Sequence, residues 1–169
     1  WSVDERSALH ESPAMRAVGQ RALALVGRSI DQIDDLDLYS CFPSAVQLAQ
    51  GYLGIDPERP YTITGGLTFA GGPFNSYCLH AVATACDRIR AGRSTSALLT
   101  GNGGYFTKHS CTVLAAEPPE AGFRYDPRGT LGQALQVLPF GREIQHVMEP
   151  SMAAGAGAFI GVLRGYPGG

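Results

Sequence analysis

Several features that mark whole classes of protein are missing from this sequence. No stretch of its 169 residues approaches the roughly 18–20 apolar residues that a membrane-spanning helix requires. Its net charge of -2 provides neither a basic patch for nucleic acid nor a polybasic segment for a membrane surface. We therefore expect no membrane and no nucleic acid among its partners, and we expect a cytoplasmic protein.

Metal-binding and dinucleotide motifs are missing as well. The sequence contains no C-x-x-C, and no G-x-G-x-x-G follows a first strand. Each cysteine lies in an apolar or helical context, so we expect reduced, buried thiols and no metal. The cysteines are Cys41, Cys78, Cys86 and Cys111.

What the sequence does contain is an ordinary globular composition and many glycines. Hydrophobic residues make up 44% of the chain and charged residues 17%, which is typical of a folded domain. The 22 glycines include pairs at 65–66, 71–72 and 103–104. Paired glycines in apolar sequence predict close backbone packing or turns with positive φ.

Apolar periodicity predicts alternating helices and strands. We expect helices at 12–26, 43–53 and 75–91, and strands at 36–42, 61–64, 96–100 and 112–116. The third helix is apolar almost all round, which is typical of a helix buried on most sides. This order predicts a layered α/β domain, in which helices cover both faces of a mixed sheet.

Residues 117–169 differ from the rest in composition. Prolines interrupt this segment, and its residues 153–157 are small. We interpret 1–116 as the main α/β unit and 117–169 as an irregular or β extension, part of a truncated extra C-terminal domain. A strand-like piece at 158–163 can pair with the sheet. Because the chain begins with Trp1 instead of Met, we expect a fragment of a longer protein.

Three loops place polar residues at predicted strand ends or helix starts. They span residues 39–42, 71–75 and 102–105. Because ligands of open α/β sheets bind outside the carboxyl ends of strands, we expect these loops to form one site. The helix that opens at Asn75 would also offer backbone N–H groups to an anion or an oxyanion.

The same loops resemble those of the C-terminal half of thiolases. Residues 37–46 resemble the thiolase N-E-A-F loop and the H-D-C-F loop of sterol-carrier-protein thiolases. Residues 64–75 resemble the G-G and G-H-P-x-G segment, and residues 99–104 occupy the place of the C-x-G-G-G loop. The likeness is greatest to actinobacterial thiolase-like proteins of the acetyl-CoA acetyltransferase type.

This resemblance implies a thiolase fold, in which two similar α/β halves form one active site. An N-terminal half, absent from this chain or supplied by a partner subunit, would contribute the nucleophilic cysteine. Coenzyme A would be the acyl carrier of the substrate, with no tightly bound cofactor and no metal. The implied activity is acyl transfer from acyl-CoA in lipid metabolism.

The standard catalytic residues of this half are replaced. Tyr39 stands where thiolases have Asn or His, Gly72 replaces the His of G-H-P, and Thr100 replaces the Cys of C-x-G. Glycine has no side-chain donor, and a threonine hydroxyl cannot act as a general base at neutral pH. We therefore do not transfer the standard roles to these positions.

Five other side chains near the loops are candidates for catalysis. Asn75 and Asn102 can donate amide hydrogens to an oxyanion, and Tyr39 can transfer a proton if its pKa is lowered. His80 and His109 follow the second and third loops, and either imidazole can act as a base. Structural alternatives are a core aromatic for Tyr39, a satisfied core histidine for His80 and a solvated strand end for His109.

The remaining cysteine and histidine candidates are interpreted as structural. The Cys of H-D-C-F is not the family's nucleophile, and no His or Lys adjoins Cys41, so we expect a buried, inert thiol there. His10 and His146 have no informative sequence context, and we expect both at the surface.

Three functions are compatible with these residues. The first is an acyl-CoA acyltransferase of the acetyl-CoA acetyltransferase type. The second is a thiolase-like lyase that cleaves β-hydroxyacyl-CoA by retro-aldol chemistry, with Tyr39 accepting the hydroxyl proton. The third is a non-catalytic acyl-CoA-binding subunit, which the loss of the standard His and Cys favours.

Overall fold

The computed structural model describes residues 8–106 and 108–117, and the backbone of residues 157–162. Its helices are α1 (Pro13–Val26), α2 (Pro43–Leu53) and α3 (Tyr77–Arg90). Its strands are β1 (Asp35–Asp37), β2 (Ser96–Gly103), β3 (Lys108–Ala115) and β4 (Gly157–Val162). Two 3₁₀ turns, Ile30–Gln32 and Phe74–Ser76, precede β1 and α3.

The strands form one mixed sheet in the order β1-β2-β3-β4. β1 runs parallel to β2, β3 runs antiparallel to β2, and β4 runs parallel to β3. The register pairs Asp37 with Leu99 between β1 and β2, and Asn102 with His109 between β2 and β3. The ends of β1 and β2 that carry the predicted loops therefore lie at the same edge.

Helices cover both faces of this sheet. Successive side chains of a strand point to opposite faces. Leu98 accordingly joins the core formed with α1 and α2, whereas Ala97 and Leu99 join a second cluster with α3. The predicted α/β architecture, a mixed sheet with helices on both faces, is confirmed.

Proline and glycine delimit the first two helices as their sequence positions predict. Pro13 and Pro43 each stand at the first helical residue, where the missing N–H is no loss. Gly27 and Gly54 each end their helix in the left-handed conformation, with φ of 67°. The prediction of these two helices is confirmed.

Two predicted strands differ from the structure for one reason. The predicted strand 36–42 is reduced to β1, and residues 61–64 form a loop. After β1, the Leu38 N–H donates to the Tyr61 carbonyl, and the backbone N–H groups of Ile63 and Thr64 donate to the Asp37 carboxylate. The Asp37 side chain therefore accepts from backbone N–H groups that would otherwise donate to a neighbouring strand.

The third helix also differs from its prediction. Its buried face consists of Tyr77, Ala81, Ala85 and Ile89, which pack toward the sheet. On another face the side chain of Leu79 is 67% exposed. Within the described residues α3 is therefore amphipathic in its packing, and the predicted burial on most sides is wrong there.

The predicted strand at 158–163 is found at Gly157–Val162 and pairs with β3. The rest of the predicted extension, 118–156 and 163–169, lies outside the described residues, so the division at residue 116 stays a prediction. Among the helices that the structure describes, none combines the length and apolarity needed to cross a bilayer.

Candidate functional site

The loop after β1 is tied to both neighbouring loops by hydrogen bonds. The Tyr39 N–H donates to the Thr100 hydroxyl at 2.8 Å, and the Ser40 hydroxyl accepts from the Leu67 N–H at 2.9 Å. Thr100, which the resemblance aligns with the thiolase cysteine, thus has its hydroxyl bonded to the backbone. The structure brings the first loop against the end of β2 and against the glycine-rich segment.

Two glycines allow these close approaches. A Cβ on Gly66 would lie 2.7 Å from the Ser40 hydroxyl oxygen, and the φ of Gly66 is +84°. A Cβ on Gly101 would lie 3.1 Å from the Cys78 sulfur at the start of α3. A side chain at Gly66 would also be strained by the positive φ, whereas one at Gly101 would require the Ser110 and Cys78 side chains to shift.

A buried carboxylate, Asp37, binds the loops beneath this site, and no sequence motif had indicated it. Asp37 is fully buried, and its Oδ2 accepts from the hydroxyls of Thr62 and Thr64 and from the N–H groups of Ile63 and Thr64. Its Oδ1 accepts from the Tyr77 hydroxyl at 2.7 Å. Burial and this bond raise the pKa of Tyr77 to about 12.

The signal for Asp37 was present in the sequence. An acidic residue between Leu36 and Leu38 in an apolar strand must be paired if it is buried. The two threonines that meet it, Thr62 and Thr64, are spaced so that both hydroxyls face one acceptor. Because these threonines lie some 25 residues from Asp37, a local sequence pattern cannot predict their hydrogen bonds to it.

Asn102 and His109 form the second polar element of the site. The Asn102 Oδ1 lies 2.9 Å from the His109 Nδ1, and the His109 Nε2 lies 2.7 Å from the Ser12 hydroxyl. His109 is only 2% exposed, so the prediction of a solvated strand end is wrong. The Asn102 Nδ2 is buried and meets no oxygen or nitrogen acceptor among the described residues; its neighbour is the Cys41 sulfur, a weak acceptor.

Tyr39 lies at the centre of the site as a half-buried phenol. Its ring packs edge-to-face on Tyr77, with 5.4 Å between ring centroids. Burial raises the pKa of Tyr39, and the neighbouring Cys78 and Cys41 raise it further. A proton-accepting role would require a lowered pKa, and this environment raises it instead. The phenol therefore stays protonated and can donate a hydrogen bond.

The prediction that Cys41 is buried is wrong: the residue is exposed. Desolvation nevertheless raises the pKa of the Cys41 thiol, against opposing effects of the Phe42 and Cys41 N–H groups and of the Asn102 amide. The Asn102 amide thus lies within hydrogen-bonding reach of the sulfur. Cys41 is accessible, but its environment favours the thiol over the thiolate.

This environment predicts slow alkylation of Cys41. A raised pKa leaves less thiolate at any given pH, so iodoacetamide should modify Cys41 slowly at neutral pH and faster as the pH rises past 9.0, the ordinary value. Peptide mass spectrometry measures the rates. Cys111 is the control, because burial raises its pKa to about 12 and it should stay unmodified in the folded protein. Rapid modification of Cys41 at neutral pH would contradict the prediction.

Asn75 and His80 are not joined to this cluster. Both are exposed, and no hydrogen bond links either one to another side chain in the described part of the chain. His80 is therefore not a core histidine. His10 is exposed, as predicted, and its Nε2 lies 3.6 Å from a Glu11 carboxylate oxygen. His146 lies outside the described residues.

No trio of His, Cys, Asp or Glu side chains among the described residues is arranged to hold a metal ion. Gly72, which replaces the thiolase histidine, is exposed with φ of +61°. The polar groups of the site are thus the Asn102 amide, the Tyr39 phenol, the Cys41 thiol, the His109 imidazole, the Asp37 carboxylate and hydroxyls. This set can donate hydrogen bonds to a carbonyl oxygen, and the imidazole and the carboxylate are engaged in the hydrogen bonds described above.

Comparison with known proteins places this geometry in a wider context. No protein-family model matches the chain, and the curated protein sequences give no significant match. Among solved structures, the chain is similar to the monomeric SCP2-thiolase-like protein type 1 from Mycobacterium smegmatis, with a TM-score of 0.63 and 35% identity. The match covers 67% of this chain and 26% of that chain. The chain therefore has a thiolase-like fold, and its predicted likeness to acetyl-CoA acetyltransferases stays a prediction.

Proposed function

We propose that this chain forms the C-terminal half of a thiolase-like protein that binds acyl-CoA thioesters and transfers their acyl group. The observation that carries the proposal is the Asn102 amide. Its Nδ2 is buried at the end of a central strand, and its neighbour is the weakly accepting sulfur of Cys41. A buried amide donor with no oxygen or nitrogen acceptor among the described residues is costly, which favours a site completed by a stronger bound acceptor.

A thioester carbonyl is an acceptor of the required kind. When a nucleophile attacks the carbonyl carbon, the electron pair of the C=O bond moves onto oxygen, and a preoriented amide N–H stabilises the resulting charge. Collapse of the tetrahedral intermediate breaks the C–S bond and releases CoA as its thiolate. Asn102 would donate to the oxygen throughout, and the protonated Tyr39 would add a second donor.

The nucleophile would come from the N-terminal half, on the same polypeptide or on a partner subunit. Cys41 is a weak candidate for that role, since its environment raises its pKa. Thr100 is also unsuited to acid–base work, because its hydroxyl accepts the Tyr39 N–H. The likeness to an SCP2-thiolase-like protein supports the thiolase-like part of the proposal.

Two rival functions make different demands on the same residues. A retro-aldol lyase needs a group that accepts the hydroxyl proton, and the raised pKa of Tyr39 disfavours that role. A non-catalytic acyl-CoA-binding subunit needs no activated base, and Tyr39 and Cys41, whose pKa values are raised, supply none. The rivals therefore differ from acyl transfer in products and not in binding.

Two incubations and a binding measurement separate the three functions. The protein containing both halves is mixed with acetyl-CoA and isotopically labelled CoA, and separately with a β-hydroxyacyl-CoA. We expect label to exchange into acetyl-CoA and the β-hydroxyacyl-CoA to stay intact. Cleavage of the latter to a carbonyl compound and acetyl-CoA identifies a lyase. Binding by calorimetry without exchange or cleavage identifies a non-catalytic subunit.

A further inference from the structure

The serine that opens α1 does not act as a normal helix cap. Ser12 is the N-cap residue, yet its side chain makes no hydrogen bond to the first turn of the helix. Its hydroxyl instead lies 2.7 Å from the Nε2 of His109, 97 residues further along the chain. Both residues are buried. The Ser12 hydroxyl therefore contacts the ring of His109 instead of a backbone N–H in the first turn of α1.

His109 links this serine to Asn102 through its two ring nitrogens. With the Asn102 Oδ1 at 2.9 Å, the His109 Nδ1 must carry a proton to bond it, because an amide oxygen only accepts. In the neutral ring Nε2 is then an acceptor, and the Ser12 hydroxyl donates to it. This tautomer directs the Asn102 Nδ2 away from the ring.

A competing acceptor lies beside the same ring nitrogen. The carbonyl oxygen of Phe106 is 3.2 Å from Nε2, and it bonds only to a protonated Nε2. If the proton moved to Nε2, Nδ1 would become an acceptor and would favour a rotated Asn102 amide that points its N–H at the ring. In the neutral ring, the orientation of Asn102 therefore depends on whether Nε2 accepts from the Ser12 hydroxyl or donates to the Phe106 carbonyl.

We propose that Ser12 and His109 are positioning residues that fix the orientation of the Asn102 amide by holding His109 in its Nδ1–H tautomer. Ser12 donates to Nε2, His109 donates from Nδ1 to the Asn102 oxygen, and the Asn102 Nδ2 is thereby presented as a hydrogen-bond donor. His109 acts through Asn102 and is not itself the base. The consequence for catalysis rests on the proposed acyl transfer; the tautomer does not.

Nitrogen NMR tests the tautomer directly. The protein labelled with 15N-histidine is recorded at neutral pH, and the His109 signals are assigned by their loss in His109→Gln. We expect a protonated Nδ1 and an unprotonated Nε2, and we expect Ser12→Ala to move the proton toward Nε2. A protonated Nε2 in the unmodified protein would overturn the proposal, as would an unchanged tautomer in Ser12→Ala.

Kinetics with matched variants test the positioning role. Asparagine at 109 places an amide N–H about where Nδ1 lies, whereas glutamine places it about where Nε2 lies. His109→Asn should therefore keep more activity than His109→Gln, and Ser12→Thr more than Ser12→Ala. We expect Ser12→Ala to lower kcat by about tenfold or more, up to the roughly 10²-fold scale of one oxyanion donor, with little change in KM.

Control variants separate positioning from general destabilisation. Ser29→Ala removes another helix-capping serine, far from the site in its contacts, and should leave kcat unchanged. Equal activity of His109→Asn and His109→Gln, when circular dichroism finds both folded, would overturn the positioning role. Absence of acyl transfer in the unmodified protein would refute the proposed function alone, because the tautomer measurement needs no substrate.

Discussion

Asn102→Asp should abolish most acyl transfer while leaving the protein folded. An aspartate oxygen can still accept from the His109 Nδ1, so the buried contact at 2.9 Å is preserved. The group that faces the substrate changes from an N–H donor to a negatively charged oxygen, which repels a developing oxyanion. We expect kcat to fall by about 10²–10³-fold, the usual effect of removing one oxyanion donor.

The measurement is steady-state label exchange between acetyl-CoA and CoA. Asn75→Ala is the matched control, because Asn75 is exposed and has no hydrogen bond to a described side chain. If Asn102→Asp retained at least a third of the parent kcat, the assignment of Asn102 as the carbonyl donor would be wrong. A large loss in Asn75→Ala would move that assignment to the glycine-rich loop.

Asp37→Leu should cause the largest loss of stability among single substitutions at the site. Leucine branches at the same atom as aspartate, with larger methyl groups in place of the oxygens, and accepts nothing, so it leaves two backbone N–H groups and three hydroxyls without their acceptor. Removing one side of a buried charged network costs about 3–5 kcal/mol. We expect a decrease in the free energy of unfolding of that order in urea titrations.

A graded series checks the cause of this loss. Asp37→Asn keeps one acceptor oxygen and should lose less, and Tyr77→Phe removes a single donor and should lose about 1–2 kcal/mol. Asp31→Asn changes an exposed carboxylate and should stay within about 0.5 kcal/mol of the parent. If Asp37→Leu were as stable as the parent, the carboxylate would not be organising the loop.

Local sequence signals were sufficient for the helices and for the face pattern of the sheet. Proline at the first residue and glycine after the last one set α1 and α2, since both effects depend on the backbone of the residue itself. The loops that follow β1 and β2 also lie at one edge of the sheet, as the parallel pairing of these two strands requires. Helix ends and strand ends can be predicted because they depend on residues that are close together in the sequence.

The polar partnerships could not be predicted in the same way. Thr62 and Thr64 are about 25 residues from Asp37, and their backbone amides bond to it instead of to a neighbouring strand. A solvated strand end was the structural alternative for the catalytic candidate His109, because its immediate neighbours are polar. Its burial depends on Ser12, which approaches only when α1 has packed against β3.

The diverted cap of α1 also has a consequence for native-state fluctuations. Helix ends open more readily than helix centres, and such local opening occurs without global unfolding. Ser12 holds its ring contact only while the first turn of α1 is closed, and its N–H is bound there by the Tyr52 hydroxyl at 2.7 Å. Each fraying event would release the histidine ring. The opening equilibrium of the first turn of α1 then governs the fraction of molecules in which the Asn102 amide is correctly oriented. A rise in temperature should therefore reduce turnover before it unfolds the protein.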